Sequence, residues 1–149
     1  MKLSHLDDTG AARMVDISEK TRVKRTARAS GTVLLKPDTL ILLKEKTLKK
    51  GDALACARIA GIMAAKKTSD LIPLCHPIAI DKIDIEFEFF DSGVTVQSTA
   101  VCVDKTGIEM EALTAVSAAA LTIYDMCKAA DKSITITDIH LVEKFKEPI

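Results

Sequence analysis

The sequence contains very few aromatic residues: tryptophan is absent, and phenylalanine and tyrosine together make up 3% of the chain. Hydrophobic residues nevertheless account for 48% of the 149 residues, so the core must be built from alanine, isoleucine, leucine and valine. RNA-binding sheets of the RNP type stack bases on aromatic rings, and the shortage of rings argues against that class. A chain of this length is expected to form one domain, residues 1–149.

An excess of charge is also lacking, because 21 basic residues balance 21 acidic ones. A general binder of nucleic acid would need a basic surplus, so we expect no nucleic-acid partner. Any anion site must therefore be a local cluster of cations.

Disulfide spacing and membrane-spanning runs are missing as well. The four cysteines lie far apart and form no C-x-x-C pair, and no signal-peptide pattern occurs near the N-terminus. The longest apolar stretch carries Glu111 near one end and Asp125 near the other, which argues against a membrane span. We therefore expect a cytoplasmic protein with reduced thiols and no membrane partner.

The order of patterned segments predicts an α+β fold in which helices cover one face of an antiparallel sheet. Asp52 is expected to cap a helix, and Asp91–Gly93 to form a hairpin turn. Breaks in the apolar alternation predict a bulge near Asp81–Lys82 and a slip within the last strand. The predicted elements are a strand at 22–35, helices at 36–46 and 49–70, strands at 78–90 and 94–103, a helix at 107–130 and a strand at 133–145.

Asp125 and Lys128 stand out in the long helical segment, because residues 112–127 are otherwise almost entirely apolar. Their spacing of i, i+3 places the two side chains on one helix face. One interpretation is an ion pair at a helix end, where the helix dipole favours the lysine. The other is a carboxylate and an ammonium group that trade protons, each tuned by the other.

Glu109 and Glu111 flank Met110 at the start of the same helix. The dipole alone favours carboxylates in a first turn, so a purely structural role stays open. Fourteen residues separate Glu111 from Asp125, which corresponds to about 21 Å along a helix axis. If both residues serve one site, either the ligand is long or two subunits contribute.

Lys50 lies in a Lys-Lys-Gly segment that precedes a predicted helix N-terminus, where free backbone N–H groups attract anions. The pattern G-x-x-x-x-G-K-[ST] is absent, so this segment alone does not establish a phosphate site. Lys66 and Lys67, taken alone, are typical of a solvated helix end.

Cys75 and His76 lie between Pro73 and Pro77 in the stretch DLIPLCHPIAI (70–80). Adjacent ligands without a second Cys/His pair argue against a metal site. A nucleophilic cysteine would need a base from elsewhere, and a satisfied loop histidine is the structural alternative. The flanking prolines favour a pre-organised imidazole, which is what a catalytic or binding group needs.

Several long motifs resemble the cyclic pyranopterin monophosphate synthases, the second-step enzymes of molybdenum cofactor biosynthesis. The motifs are MVDIS, KGD, ARIAGI, DLIPLCHP, TGIEMEALTA and AALTIYDMCKA, and the similarity runs over roughly residues 3–142. The resemblance implies a ferredoxin-like α/β plait that assembles as a homohexamer, a trimer of dimers with active sites at subunit interfaces. It implies a lyase that converts 3′,8-cyclo-7,8-dihydroguanosine 5′-triphosphate to cyclic pyranopterin monophosphate and pyrophosphate without a metal-centred redox step. We expect no cofactor and no metal-ligating residues, and the sequence leaves open whether a divalent metal assists the phosphates.

The resemblance also implies roles for individual residues. Asp125, Lys128 and Lys50 match the family's catalytic residues. The implied substrate-contact residues are Leu74, Cys75, His76, Glu109, Met110 and Glu111, and basic positions that match triphosphate contacts are Lys66, Arg25 and Arg28. The chain departs from the family's glycine-rich, lysine-containing tail (S-G-G-K-S-G) by ending in LVEKFKEPI.

Two other functions remain possible from the residues alone. A non-catalytic nucleotide- or RNA-binding plait module would use the same fold for recognition. A structural oligomerisation domain would explain the alanine-rich helices as packing surfaces, but it leaves Asp125, Lys128 and His76 without a purpose.

Overall fold

The structure is a computed structural model that describes residues 3–149. Its elements, in chain order, are β1 (Val23–Leu34), α1 (Pro37–Glu45), α2 (Ala53–Ala65), α3 (Thr68–Leu71), β2 (Lys82–Phe90), β3 (Gly93–Asp104), α4 (Glu109–Cys127) and β4 (Thr135–Glu147). None of the helices in residues 3–149 combines the length and the apolar character needed to cross a lipid bilayer.

The four strands form one antiparallel sheet in the order β2–β3–β1–β4. Because side chains alternate along a strand, Ala27 and Val33 of β1 are buried on one face and Arg28 is exposed on the other. The hydroxyl of Ser98 in β3 donates to the Ala112 carbonyl of α4 (2.7 Å), so the buried face is the one that the helices cover. The predicted α+β ferredoxin-like plait is therefore confirmed.

Helices α2 and α4 pack closely against each other because their contact is made of small residues. Ala57, Gly61 and Ala65 of α2 are all buried. A Cβ atom at Gly61 would lie 2.9 Å from the carbonyl oxygen of Ala115 in α4 and would collide with the side chain of Ile85. This packing against α2 and the sheet fixes the position of α4, whose two ends carry the candidate site residues.

The predicted helix over 49–70 is wrong in its bounds. Asp52 caps α2 as expected, but the helix ends at Ala65. The backbone turns at Lys67, and the buried Thr68 starts the separate helix α3, with its hydroxyl donating to the Ala65 carbonyl (2.9 Å). This turn directs the chain toward the segment that contains Cys75 and His76.

The bulge predicted near Asp81–Lys82 lies where β2 begins. Lys82 pairs with Val101, and the backbone N–H of Asp81 donates to the carbonyl of the same Val101 (2.9 Å), so two residues of one strand face one residue of the other. The register within β2 is regular, and the out-of-phase Ile78 and Ile80 precede the strand. The slip predicted in the last strand is confirmed, because β4 changes register against β1 and Asp138 has a φ of 56°.

Candidate active site

The predicted catalytic and substrate-contact residues lie at opposite ends of α4. Glu109 and Glu111 are in its first turn, and Asp125 is in its last turn. A helix of 19 residues is about 28 Å long. A single chain therefore carries two separate clusters of candidate site residues.

The first cluster joins Lys50, Asp125 and Lys128, the three residues predicted to be catalytic. Nζ of Lys50 lies 3.0 Å from Oδ2 of Asp125, and Nζ of Lys128 lies 3.1 Å from Oδ1. Each carboxylate oxygen thus faces one ammonium group, although Lys50 and Asp125 are 75 residues apart in the sequence.

Local structure explains how Lys50 reaches this position. The residue after it, Gly51, has a φ of 97°, a left-handed conformation that glycine adopts readily. Nζ of Lys50 also donates to the backbone carbonyl of Asp125 (3.1 Å), one of the carbonyls that a helix end leaves without an intrahelical partner.

The electrostatics of this cluster favour an ionised carboxylate. Hydrogen bonds from Lys50, and then from Lys128, hold the pKa of Asp125 below its usual value. The side chains of all three residues are 44–56% exposed. The cluster is therefore open to a ligand or to a second chain.

At the other end of α4, the predicted substrate-contact residues line a cavity of 620 Å³, a volume typical of small-molecule sites. The short helix α3 packs beside α4 and brings residues 74–76 to the first turn of that helix. The predicted residues found in the wall are Leu74, Cys75, His76, Glu109, Met110 and Glu111.

His76 is held by a hydrogen bond as well as by its flanking prolines. Its Nε2 lies 2.8 Å from the carbonyl oxygen of Val15, and a carbonyl can only accept, so Nε2 carries the proton. In the neutral imidazole, Nδ1 is then the nitrogen that can accept a proton. Across residues 3–149, no group of three or more His, Cys, Asp or Glu side chains is arranged to hold a metal ion.

Burial changes the ionisation of two other groups in the cavity. Glu111 is 4% exposed, and burial raises the pKa of its carboxyl, opposed by a backbone hydrogen bond and reinforced by the charge of Glu109. Burial, and then the charges of Glu111 and Glu109, raise the pKa of the Cys75 thiol. The thiolate form is disfavoured, which supports the interpretation of Cys75 as part of the wall.

Replacing Glu111 with glutamine is expected to stabilise the fold at neutral pH by roughly 0.5–2 kcal/mol, because a buried charge is removed without a change of shape. A carboxyl with a raised folded-state pKa destabilises the protein above that pKa, and this penalty disappears below the unfolded value. The gain should therefore shrink as the pH falls through the raised pKa of Glu111 and be absent below about 4.5, the ordinary value for a glutamate. Urea unfolding at neutral pH and at a pH below about 4.5 measures the gain in the free energy of unfolding. Glu45→Gln, at an exposed position, is the control. An equal gain for Glu111→Gln at the two pH values would contradict this origin.

The three basic residues predicted to contact the triphosphate are not brought together in one chain. Arg25 lines a second cavity, of 380 Å³, that adjoins the first. Arg28 is exposed on the opposite face of the sheet and forms an ion pair with Glu143 (3.3 Å). Lys66 is exposed at the end of α2 and is not among the residues that line either cavity.

Sequence reasoning missed wall residues that come from both ends of the chain. Val15, Ile17 and Lys20 line the larger cavity, and Lys144 and Lys146 line the smaller one. The N-terminal residues have no regular secondary structure, so periodicity could not place them, and the MVDIS motif was the available signal. The two C-terminal lysines are two residues apart, a spacing that puts them on one side of a strand.

Comparison with known proteins decides which family this site belongs to. The model described as the MoaC family matches residues 14–146. The chain belongs to the MoaC family. The matched range contains both ends of α4 and every residue of the Lys50–Asp125–Lys128 cluster.

Individual relatives show the same similarity. The chain is 56% identical over 143 residues to the cyclic pyranopterin monophosphate synthase of Streptomyces griseus, covering 96% of this chain and 81% of that protein. It is 56% identical over 143 residues to cyclic pyranopterin monophosphate synthase 3 of Mycobacterium tuberculosis, covering 95% and 81%. For the cyclic pyranopterin monophosphate synthase of Thermoanaerobacter pseudethanolicus, the identity is 53% over 146 residues, covering 97% and 92%. The resemblance in the sequence motifs is therefore confirmed.

Proposed function

We propose that this chain is a lyase of molybdenum cofactor biosynthesis that converts 3′,8-cyclo-7,8-dihydroguanosine 5′-triphosphate to cyclic pyranopterin monophosphate and pyrophosphate. Relatives with the name of this activity are 53–56% identical over nearly the whole chain. The structural observation that carries the proposal is the convergence of Lys50, Asp125 and Lys128. Exposed ion pairs contribute little to stability, so chemistry explains this arrangement better than folding does.

The first chemical requirement is proton transfer. Opening the purine-derived ring and rebuilding it as a pyranopterin moves protons at several atoms. Ionised Asp125 can accept a proton, and the ammonium group of Lys128 beside it can donate one. Hydrogen bonds from Lys50 and Lys128 lower the pKa of Asp125 and keep it in the ionised form that a proton acceptor requires.

The second requirement is closure of the cyclic phosphate. A sugar hydroxyl oxygen attacks the α-phosphorus, and the bond from this phosphorus to the bridging oxygen breaks. Pyrophosphate leaves with the electron pair of that bond, and the hydroxyl proton passes to a base. Cations near the leaving oxygens stabilise the charge that develops there.

We place the complete active site between two copies of the chain, within the homohexamer that the family resemblance implies. Glu111 and Asp125 are separated by about 21 Å along α4, so one copy would supply the cavity and its neighbour the Lys50–Asp125–Lys128 cluster. Exposed apolar side chains on α2 and α4 favour burial against another copy; they are Ile59, Met63 and Leu121, at 58%, 62% and 61% exposure. In such an assembly, Arg28 and Lys66 of a neighbouring copy remain the predicted triphosphate contacts.

The proposal is tested by incubating the purified chain with the cyclic nucleotide and measuring both products. Pyrophosphate is quantified through inorganic pyrophosphatase, and the pterin by mass spectrometry. We expect the two products in equal amounts and none without the chain. Substrate binding without turnover would instead identify a binding module, and the absence of both would reject the proposal.

A further inference from the structure

Asp131 is a buried carboxylate that the proposed chemistry does not use. The residue is 2% exposed and lies in the loop between α4 and β4. Its Oδ1 accepts hydrogen bonds from the backbone N–H and the hydroxyl of Ser133 (2.8 and 2.7 Å). Its Oδ2 accepts from the backbone N–H of Lys36 (2.9 Å), which is 95 residues away in the sequence. A buried charge needs such partners, and here one of them belongs to a different element.

That element is α1, which has no capping side chain of its own. Lys36 is its N-cap residue, but the lysine side chain forms no capping hydrogen bond. Asp131 takes this role from the end of α4, because a carboxylate is favoured at a helix N-terminus. Thr39, a buried residue in the first turn of α1, adds a side-chain hydrogen bond to Asp131. Burial raises the pKa of Asp131, but the hydrogen bonds to it, the one from Lys36 foremost, lower it to about 2, so the group is ionised at neutral pH.

The other end of α1 leads directly to Lys50. The N–H of Thr47 donates to the Leu42 carbonyl (3.0 Å), which closes the last turn of the helix. The next residue, Leu48, is buried, and its carbonyl accepts from the N–H of Gly51 (3.0 Å). These bonds attach the loop to the helix, so the position of Lys50 depends on the position of α1.

Residues 36–50 therefore contact the end of α4 at two points. Asp131 holds the first of them, and Asp125 holds the last through its Oδ2 and its backbone carbonyl (3.0 and 3.1 Å). Asp131 itself is fixed to the last turn of α4, because its N–H donates to the Cys127 carbonyl (3.1 Å). Apart from its buried side chains, α1 has little close packing against the other helices and strands. The hydrogen bond to Asp131 is therefore an important constraint on this helix.

We propose that Asp131 is a positioning residue that sets where Lys50 meets Asp125, by fixing the start of α1 to the end of α4. The inference rests on the proposed function, because it gives Asp131 a part in building the active-site cluster of that reaction. Both carboxylate oxygens of Asp131 are bonded to protein groups, so it acts through Lys50 and not on the substrate. A displacement of about 1 Å in a catalytic group can lower a rate by as much as about 100-fold.

Asparagine in place of Asp131 tests this role through the turnover number. Only one of the two terminal atoms of an amide can accept a hydrogen bond, whereas the carboxylate accepts on both. We expect Asp131→Asn to lower kcat about tenfold and to change KM less than about twofold, because Lys50 belongs to the catalytic cluster. In a Lys50→Ala background, the same substitution should lower kcat less than about twofold, since the residue through which it acts is missing. A loss of about tenfold in both backgrounds would indicate a merely structural role and overturn the proposal.

Two further variants make the kinetic result specific. Val96→Ala is the control for lost stability, because Val96 is fully buried in β3 and its truncation leaves a cavity without touching the bond between Asp131 and Lys36. Its kcat should stay close to the unmodified value. If Asp131→Asn does not fold, Thr39→Val removes one hydrogen bond to the same carboxylate. It should lower kcat about threefold, again only when Lys50 is present.

A crystal structure of Asp131→Asn separates this inference from the proposed function, since it needs no substrate. We expect Nζ of Lys50 to lie beyond hydrogen-bond distance from Oδ2 of Asp125, compared with 3.0 Å in the unmodified chain. If Lys50 is displaced but the unmodified chain does not convert the cyclic nucleotide, the positioning role stands and the reaction is wrong. If Lys50 keeps its contact with Asp125 in the variant, the positioning role is overturned whether or not the nucleotide is converted.

Discussion

Asparagine in place of Asp125 is expected to lower the turnover number by about 10²–10⁴, while the protein stays folded and assembled. The substitution keeps the size of the side chain but removes the charge that faces Lys50 and Lys128 at 3.0 and 3.1 Å. An amide can neither accept the proton in a transfer step nor hold the two ammonium groups in place. Because the side chain is 55% exposed, the loss of these ion pairs should change the stability very little.

Two companion variants make the Asp125→Asn result specific. Lys128→Ala should give a loss of similar size, since it removes the partner in proton transfer. Asp138→Asn is the control. Asp138 is exposed, and its Oδ1 lies 3.5 Å from Nδ1 of His140. Its backbone has a positive φ, which asparagine also tolerates. Turnover near the unmodified level in both Asp125→Asn and Lys128→Ala would refute the proton-transfer assignment.

Activity is expected to return when two inactive variants, Asp125→Asn and His76→Ala, are mixed and reassembled. Each variant lacks a residue at a different end of α4. If one site uses the cavity of one chain and the carboxylate of its neighbour, a mixed pair has one intact site and one doubly altered site. Equal, random mixing makes about half of the two-fold interfaces mixed, and each mixed interface has one intact site of two. About a quarter of the unmodified activity should therefore return.

The matched control for this experiment mixes two variants from the same end of the helix. Asp125→Asn and Lys50→Ala alter the same Lys50–Asp125–Lys128 cluster, so no pairing of these chains yields an intact site. Native mass spectrometry shows whether mixed assemblies have formed. Mixed assemblies of Asp125→Asn and His76→Ala that stay inactive would mean that the active site does not combine these residues from different chains.

Most of the fold could be predicted from the sequence because its signals are local. Alternating apolar residues mark the strands, and Asp52 marks the start of α2 with its side-chain cap. The end of that helix was missed because Lys66 and Lys67 are good helix formers. The break depends on Thr68, whose burial is a tertiary effect that the local pattern does not show.

The two ends of α4 could be identified as candidate sites, but their surroundings could not. Nothing in the spacing of residues 50 and 125 indicates that a loop lysine contacts the last turn of α4. The bond from His76 to Val15 joins a proline-framed loop to a segment without regular structure. Likewise, Lys144 and Lys146 become wall residues only through the register between β4 and β1. Contacts of this kind depend on tertiary packing, which residue type and periodicity do not encode.

The positions of the chain ends have a practical consequence for protein production. Ser4 and His5 contribute to the wall of the larger cavity, and the paired part of β4 ends at Glu147, next to Lys146. Affinity tags fused at either end of this sequence would therefore begin within a few residues of the two cavities, and a polyhistidine tag would add imidazole groups there. Removable tags would keep kinetic and titration measurements free of this interference. So would an insertion at the Asp91–Gly93 turn, which lies at the end of the sheet opposite Lys146.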